Sequence, residues 1–364
     1  MVFNLTLIRR CLFILFFIVA GLTPNKASAS HYAAADIYLD YIGTGPNDLT
    51  YKVTLVIYKA CEWSDTATAI DLSNFESIRF QSSCGSIPSI LVSGNAPDTL
   101  DQLCPAFAPL NMCREFNSVW PAFVRRVYDT VVTFPAACDW TVYWTSGSRN
   151  AGIANLQQPA SILNIYVEAG INLSARYNNN SPRFIVDPIP YLCQNQPSFF
   201  LNGPLDPDND SMVTTGEVPL NNSATTPIGY NTGAPLNYPF SATDPIASGT
   251  YTVSPTTGTA SFTPTLQGKF VLAFKAEDYD RVTHTRLSYI RRDVQVSVLN
   301  CNAAPPAIDT IPQNLENGAW IPTPPSGGYV VACAGSELKF NVSATSQTIS
   351  NSVYLDANNQ ISVP

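Results

Sequence analysis

Charge and histidine are both scarce in this chain. Only 13% of its 364 residues are charged, and His31 and His284 are the only two histidines. Lys and Arg together number 19 against 27 acids, a formal charge of −8, so there is no basic surface of the kind phosphates require, and nucleic acid is excluded as a partner. Two histidines and no C-x-x-C leave no zinc-type cluster. A G-x-S-x-G elbow, a P-loop, a G-x-G-x-x-G and an H-E-x-x-H are all missing as well. A histidine-based triad would have to use His284, which sits among Thr283, Thr285 and Arg286 and reads as a solvated loop residue, or His31. His31 could bind Cu(II) only if processing left it third from a new terminus, and the cleavage residues place it second. No amphipathic helical run of useful length follows residue 29, and no later stretch reaches the roughly 20 apolar residues of a spanning helix.

What is present begins with a leader. Arg9 and Arg10 precede the apolar run Cys11 to Leu22, and Ala27-Ser28-Ala29 supplies small residues for cleavage, so residues 1–29 read as a signal peptide and the mature chain as starting at Ser30. Its removal takes away three basic residues and no acid, shifting the formal charge to −11. The expected product is exported, with no transmembrane segment in the chain. Eight of the nine cysteines follow the leader: Cys61, Cys84, Cys104, Cys113, Cys138, Cys193, Cys301 and Cys333. An even number in an exported chain argues for disulfides, with 105 pairings open.

Twenty-nine prolines and abundant Asn, Ser and Thr favour short strands joined by turns, an all-β chain. The clearest statement is Lys269 to Cys301. Phe270, Leu272, Phe274 and Ala276 share one face of a first strand, and Val294, Val296 and Val298 alternate with Asp293, Gln295 and Ser297 in a second. The two read as the closing hairpin of a β-sandwich, with Asp278 to Arg286 at one pole. Tyr251 to Pro264 adds two short strands around a Thr256-Thr257-Gly258 turn. The expected organisation is tandem Ig/cadherin-like sandwiches. Residues 30–181 form a disulfide-stapled first domain holding five of the eight cysteines, residues 182–302 a second, and residues 303–364 the incomplete start of another. A chain cut in the third unit is expected to be the N-terminal part of a longer multidomain protein, or the product of a truncated gene.

Several motifs, in order, resemble exported Bacteroidetes surface proteins of the gliding-motility and type IX secretion type. They are Ser30-His31, Asp36-Ile37-Tyr38, Tyr51 to Cys61, Asn179-Asn180-Ser181-Pro182-Arg183-Phe184, Pro190 to Cys193, Asp206 to Ser211, and the R-R-D-x-Q strand from Arg291. Where that family has Cys-Cys-Arg-Asn, this chain has Gly147-Ser148-Arg149-Asn150, so the family's disulfide pattern does not transfer. The resemblance implies a non-enzymatic outer-membrane or cell-surface adhesin or stalk, with a surface polysaccharide or protein as ligand. The alternative is an accessory, non-catalytic part of an exported carbohydrate-active enzyme whose catalytic domain lies beyond residue 364. The remaining acids fall on expected loops without an aromatic platform and read as solvated surface, and Arg291-Arg292-Asp293 reads as an ion pair at a strand edge.

One candidate ligand site stands out. Asp206, Asp208 and Asp210 alternate in a tight loop, an arrangement hard cations favour, and the strand order would bring Asp278 and Asp280 to the same pole. Calcium is the only cofactor this suggests. The family's Asp-Pro-Asp-Gly-Asp glycine is replaced by Asn209, which tolerates a left-handed turn. The competing reading is a turn whose acids cap backbone amides.

Overall fold

The computed structural model describes residues 32–61, 72–100, 108–115, 118, 120–188, 191–233, 236–301 and short pieces (307–308, 313–322, 328–332, 337, 339–341, 344–345). The expected leader, His31, Cys104 and Cys333 lie outside the described residues. Among the described residues, seventeen strands precede residue 302: β1 Tyr32–Tyr41, β2 Thr50–Ala60, β3 Phe75–Gln81, β4 Ile90–Ser93, β5 Asp98–Leu100, β6 Phe123–Thr133, β7 Asp139–Gly147, β8 Asn164–Asn172, β9 Arg183–Phe184, β10 Tyr191–Cys193, β11 Ser198–Phe200, β12 Pro204–Leu205, β13 Ser211–Glu217, β14 Thr252–Val253, β15 Ala260–Phe262, β16 Gly268–Tyr279 and β17 Arg286–Leu299. Apart from two single turns of 3₁₀-helix, the described chain is strand and loop, so the all-β expectation holds. The Thr256-Thr257-Gly258 turn joins β14 to β15, with Gly258 at φ +65°.

Twelve strands make one curled sheet, ordered β4-β3-β7-β8-β17-β1-β2-β6-β5, with β10, β16 and β13 joined to it through β17. The curl brings the end of β4 back to β6, where Asn95 N donates to Val127 O at 2.9 Å. Arg126 of β6 stitches this seam: its guanidinium donates to the carbonyls of Asn95, Leu72 and Ser73 and to Asn74 Oδ1. Inside lie Leu55, Ile57, Trp140, Val142, Trp144 and Val167, all buried. Glu76 is buried with them, accepting from Tyr32 OH at 3.1 Å and Trp144 Nε1 at 2.8 Å, and burial raises its pKa.

β17 is the strand around which the molecule is joined. One edge carries the whole of β16. The other meets β8 at Ser288 to Ile290, β1 at Asp293 and Val294, and β10 at Ser297 to Leu299. The boundary expected at residue 181 therefore does not divide two sheets. Residues 182–302 lend β17 to the sheet of residues 30–181, and one hydrophobic cluster runs from Tyr32 to Val298. Among the described residues, 307–345 contribute three separate two-stranded pairs, which include strands at Gly328–Ala332 and Lys339–Asn341.

The alternation read along β17 is present, but its polar face is not turned to water. Asp293, Gln295 and Ser297 are buried under the segment after β7. Arg149 grips both Asp293 oxygens at 2.7 Å, Asn150 donates to Gln295 Oε1, and Asn155 bonds both backbone groups of Val271. Arg292 points the other way and holds Asp36 of β1 through two 2.7 Å bonds. The Arg291-Arg292-Asp293 ion pair at a strand edge is thus corrected: adjacent strand residues face opposite ways, Arg291 pairs with Glu217 on β13, and Arg292 and Asp293 each find a buried partner far away in sequence.

Six of the cysteines form three bridges, Cys61–Cys113, Cys84–Cys138 and Cys193–Cys301, spanning 52, 54 and 108 residues. The last pins β10 to the end of β17. Bridges of this kind typically stabilise by about 2 to 5 kcal/mol each.

Candidate functional site

The acid loop joins β12 to β13, and the β13–β16 register sets Met212 opposite Asp278 and Ser211 opposite Tyr279. This brings residues 206–210 beside the hairpin loop, at the pole where the sequence placed them. Asp206 is buried and folds the loop around itself, accepting from Asp208 N at 2.9 Å and Asp210 N at 2.6 Å. Asn209 takes the left-handed conformation at φ +60°, the role glycine would otherwise fill.

The five acids divide into two groups. Asp206, Asp210 and Asp278 each offer an oxygen within 4.8 Å of the other two. Asp208 turns aside, accepting from Asn180 N at 2.6 Å and Asn180 Nδ2 at 2.8 Å. Asp280 accepts from the amides of Val282 and Thr283, which hold its carboxyl down at about 2. Asp278 is fully buried between Asn179 Nδ2 at 2.8 Å and Ser288 Oγ at 2.5 Å, and burial pushes its pKa up to about 6. Burial likewise raises Asp206, against the opposing pull of its two backbone donors.

Arg176, in the turn after β8, was not anticipated. Its guanidinium bridges Asp210 and Asp280, with 2.5 Å bonds to each. It lies 34 and 104 residues from these partners, and no local pattern marks it. The pole is therefore an acid cluster with its own cation. Asp206 caps backbone amides as in a capped turn, while Asp206, Asp210 and Asp278 converge beside the Arg176 guanidinium.

The strap Asn179-Asn180-Ser181 ties this pole to β1, since Asn180 Oδ1 accepts from Tyr41 N and Ser181 Oγ from Leu39 N. His284 is exposed at the hairpin tip, as its polar neighbours implied. Among the described residues no helix is long and apolar enough to cross a membrane. No family model, curated protein or solved structure matches the chain.

Proposed function

We propose that this chain is a non-enzymatic exported protein of a bacterial cell surface, serving as an adhesin or stalk. The observation that carries this reading is the set of three disulfides linking segments 52, 54 and 108 residues apart in an all-β chain. Such bridges persist in oxidising compartments and are rare in the cytosol. The leader-like residues 1–29 and the motif order shared with Bacteroidetes gliding-motility and type IX secretion proteins support the same assignment. In this reading β11 to β17 represent an Ig/cadherin-like sandwich merged with the first domain through β17, the partner is a surface polysaccharide or protein, and calcium joins Asp206, Asp210 and Asp278 at the pole.

The test is antibody labelling of intact source cells, with and without protease shaving, beside thiol counting on the released chain. Surface label that protease removes, with no more than two of the eight mature cysteines free, is the expected result. A cytoplasmic chain with its thiols reduced overturns the assignment.

A further inference from the structure

A second feature lies on the outer face of β7, β8 and β17, where Ser288 to Ile290 at the start of β17 pair with Ala169 to Ile171 at the end of β8. A cavity of about 580 Å³ opens there, lined by Asp139, Thr141, Asn172, Arg286 and Tyr289 among others. A second, of about 270 Å³, shares Asp139, Thr141 and Tyr289 and adds Ser82 and Glu168. Together they fall in the size range of ligand sites.

The floor is built. A Cβ at Gly170 would stand 2.1 Å from the Tyr289 ring, so that ring rests directly on the β8 backbone. Lys275 Nζ and Arg286 Cζ lie 4.8 and 5.1 Å from its centroid and hold it in place. Glu168 is buried, although it belongs to the outer face opposite Tyr143, and it accepts from Tyr166 OH at 2.7 Å. The Tyr143 and Tyr166 rings, 5.5 Å apart, continue the same face along the two strands. The expectation that the acids have no aromatic companions is thus corrected: period-two reading puts these tyrosines on the face but cannot show that Glu168 shares it with a groove.

The chemistry of the lining restricts the occupant. At the groove, Ala169 to Ile171 of β8 are paired with β7 on one edge and β17 on the other, so there this strand offers a peptide no edge to add to. Asp139 and Glu168 outnumber Arg286 in the groove, which disfavours a phosphate or other anion. Carboxylate and hydroxyl acceptors, guanidinium and amide donors and tyrosine rings suit a neutral, hydroxyl-rich ligand whose C–H faces pack on aromatics. We propose that this groove binds a neutral oligosaccharide, an inference that rests on the reading of the chain as a cell-surface binding protein.

The test uses the full chain, oxidised, titrated calorimetrically with cello-, laminari-, xylo-, malto- and chitohexaose. At least one of these binds. Asp139→Ala and Arg286→Ala, both at solvent-exposed side chains, weaken that binding tenfold or more, and Gly170→Ala, which displaces the Tyr289 ring, does the same. Asp208→Asn, at the distant acid loop, leaves it unchanged. No binding to any of the five, or binding unaltered by both Asp139→Ala and Arg286→Ala, overturns the proposal. Either result leaves the surface assignment to be decided by the labelling of intact cells.

Discussion

Arg292→Met is the substitution that most directly probes how the halves of the molecule are joined. Arg292 and Asp36 are 256 residues apart, buried to 1% and 6% side-chain exposure, and paired through two 2.7 Å bonds. The guanidinium also donates to Val186 O at 2.8 Å and lies 4.6 Å from the centre of the Phe184 ring. Methionine keeps much of the packing and removes the charge, leaving the Asp36 carboxylate buried without a cation. Breaking such a pair costs about 3 to 5 kcal/mol, whereas replacing both partners with apolar residues is often close to neutral. Urea unfolding at pH 7 should therefore show Arg292→Met destabilised by that amount and the Arg292→Met, Asp36→Leu double variant recovering most of the loss. Burial already raises the Asp36 pKa while Arg292 lowers it, so the single variant drives it higher still. A raised folded-state pKa gives stability present below the unfolded value and lost as pH rises through the folded one, so the cost at pH 7 must shrink toward pH 4. The exposed Lys52–Asp129 pair, at 43% and 35% exposure, is the control, and Lys52→Met should cost about 1 kcal/mol or less. A cost below about 1 kcal/mol for Arg292→Met, or a double variant no more stable than the single, would refute the argument.

Two further predictions concern the acid pole. Asp278, with its pKa raised to about 6, contributes stability that is complete below the unfolded value of 3.8 and lost as pH rises through 6. Unfolding experiments between pH 4 and 7 should show a loss of roughly 2 kcal/mol from this group in the wild type that Asp278→Asn removes, and an unchanged slope in the variant rejects the assignment. Calcium titration of the full chain should give heat at millimolar calcium that an Asp210→Ala, Asp278→Asn double variant abolishes; no heat in the wild type leaves the pole as a capped turn bridged by Arg176.

Local pattern made the strands legible. Phe270 to Ala276 and Val294 to Val298 lie in β16 and β17, and the Asp36 and Tyr51 runs in β1 and β2, because period-two alternation reports which residues share a face. The acid pole was legible in part: the short β16–β17 connection keeps Asp278 and Asp280 at one end, and the acid loop reaches that end because β13, which it enters, pairs antiparallel with β16, Met212 opposite Asp278. Alternation does not report what covers a face. Asp293 and Gln295 have the pattern of a solvated face, yet the 149–155 segment above them has no periodicity of its own and brings its arginine and asparagines to match them. The sharing of β17 between the two halves was equally invisible, since it rests on pairings whose partners are more than 100 residues apart.

The motif blocks spaced along the chain turn out to be one another's partners. Asp36 pairs with Arg292, Arg149 with Asp293, Asn150 with Gln295, Asn179 with Asp278 and Asn180 with Asp208. All but the exposed Asn180–Asp208 pair are buried polar groups that would carry a desolvation penalty if the counterpart were lost, so fold alone accounts for their joint presence. Recognition chemistry then has to be sought among residues outside that network. Asp139, Glu168 and Arg286 belong to no motif block and line the two cavities that share Asp139, Thr141 and Tyr289, Arg286 the larger and Glu168 the smaller. The motifs thus mark how the two halves are held together, and the groove proposed as an oligosaccharide site on β7, β8 and β17 lies outside that set of pairs.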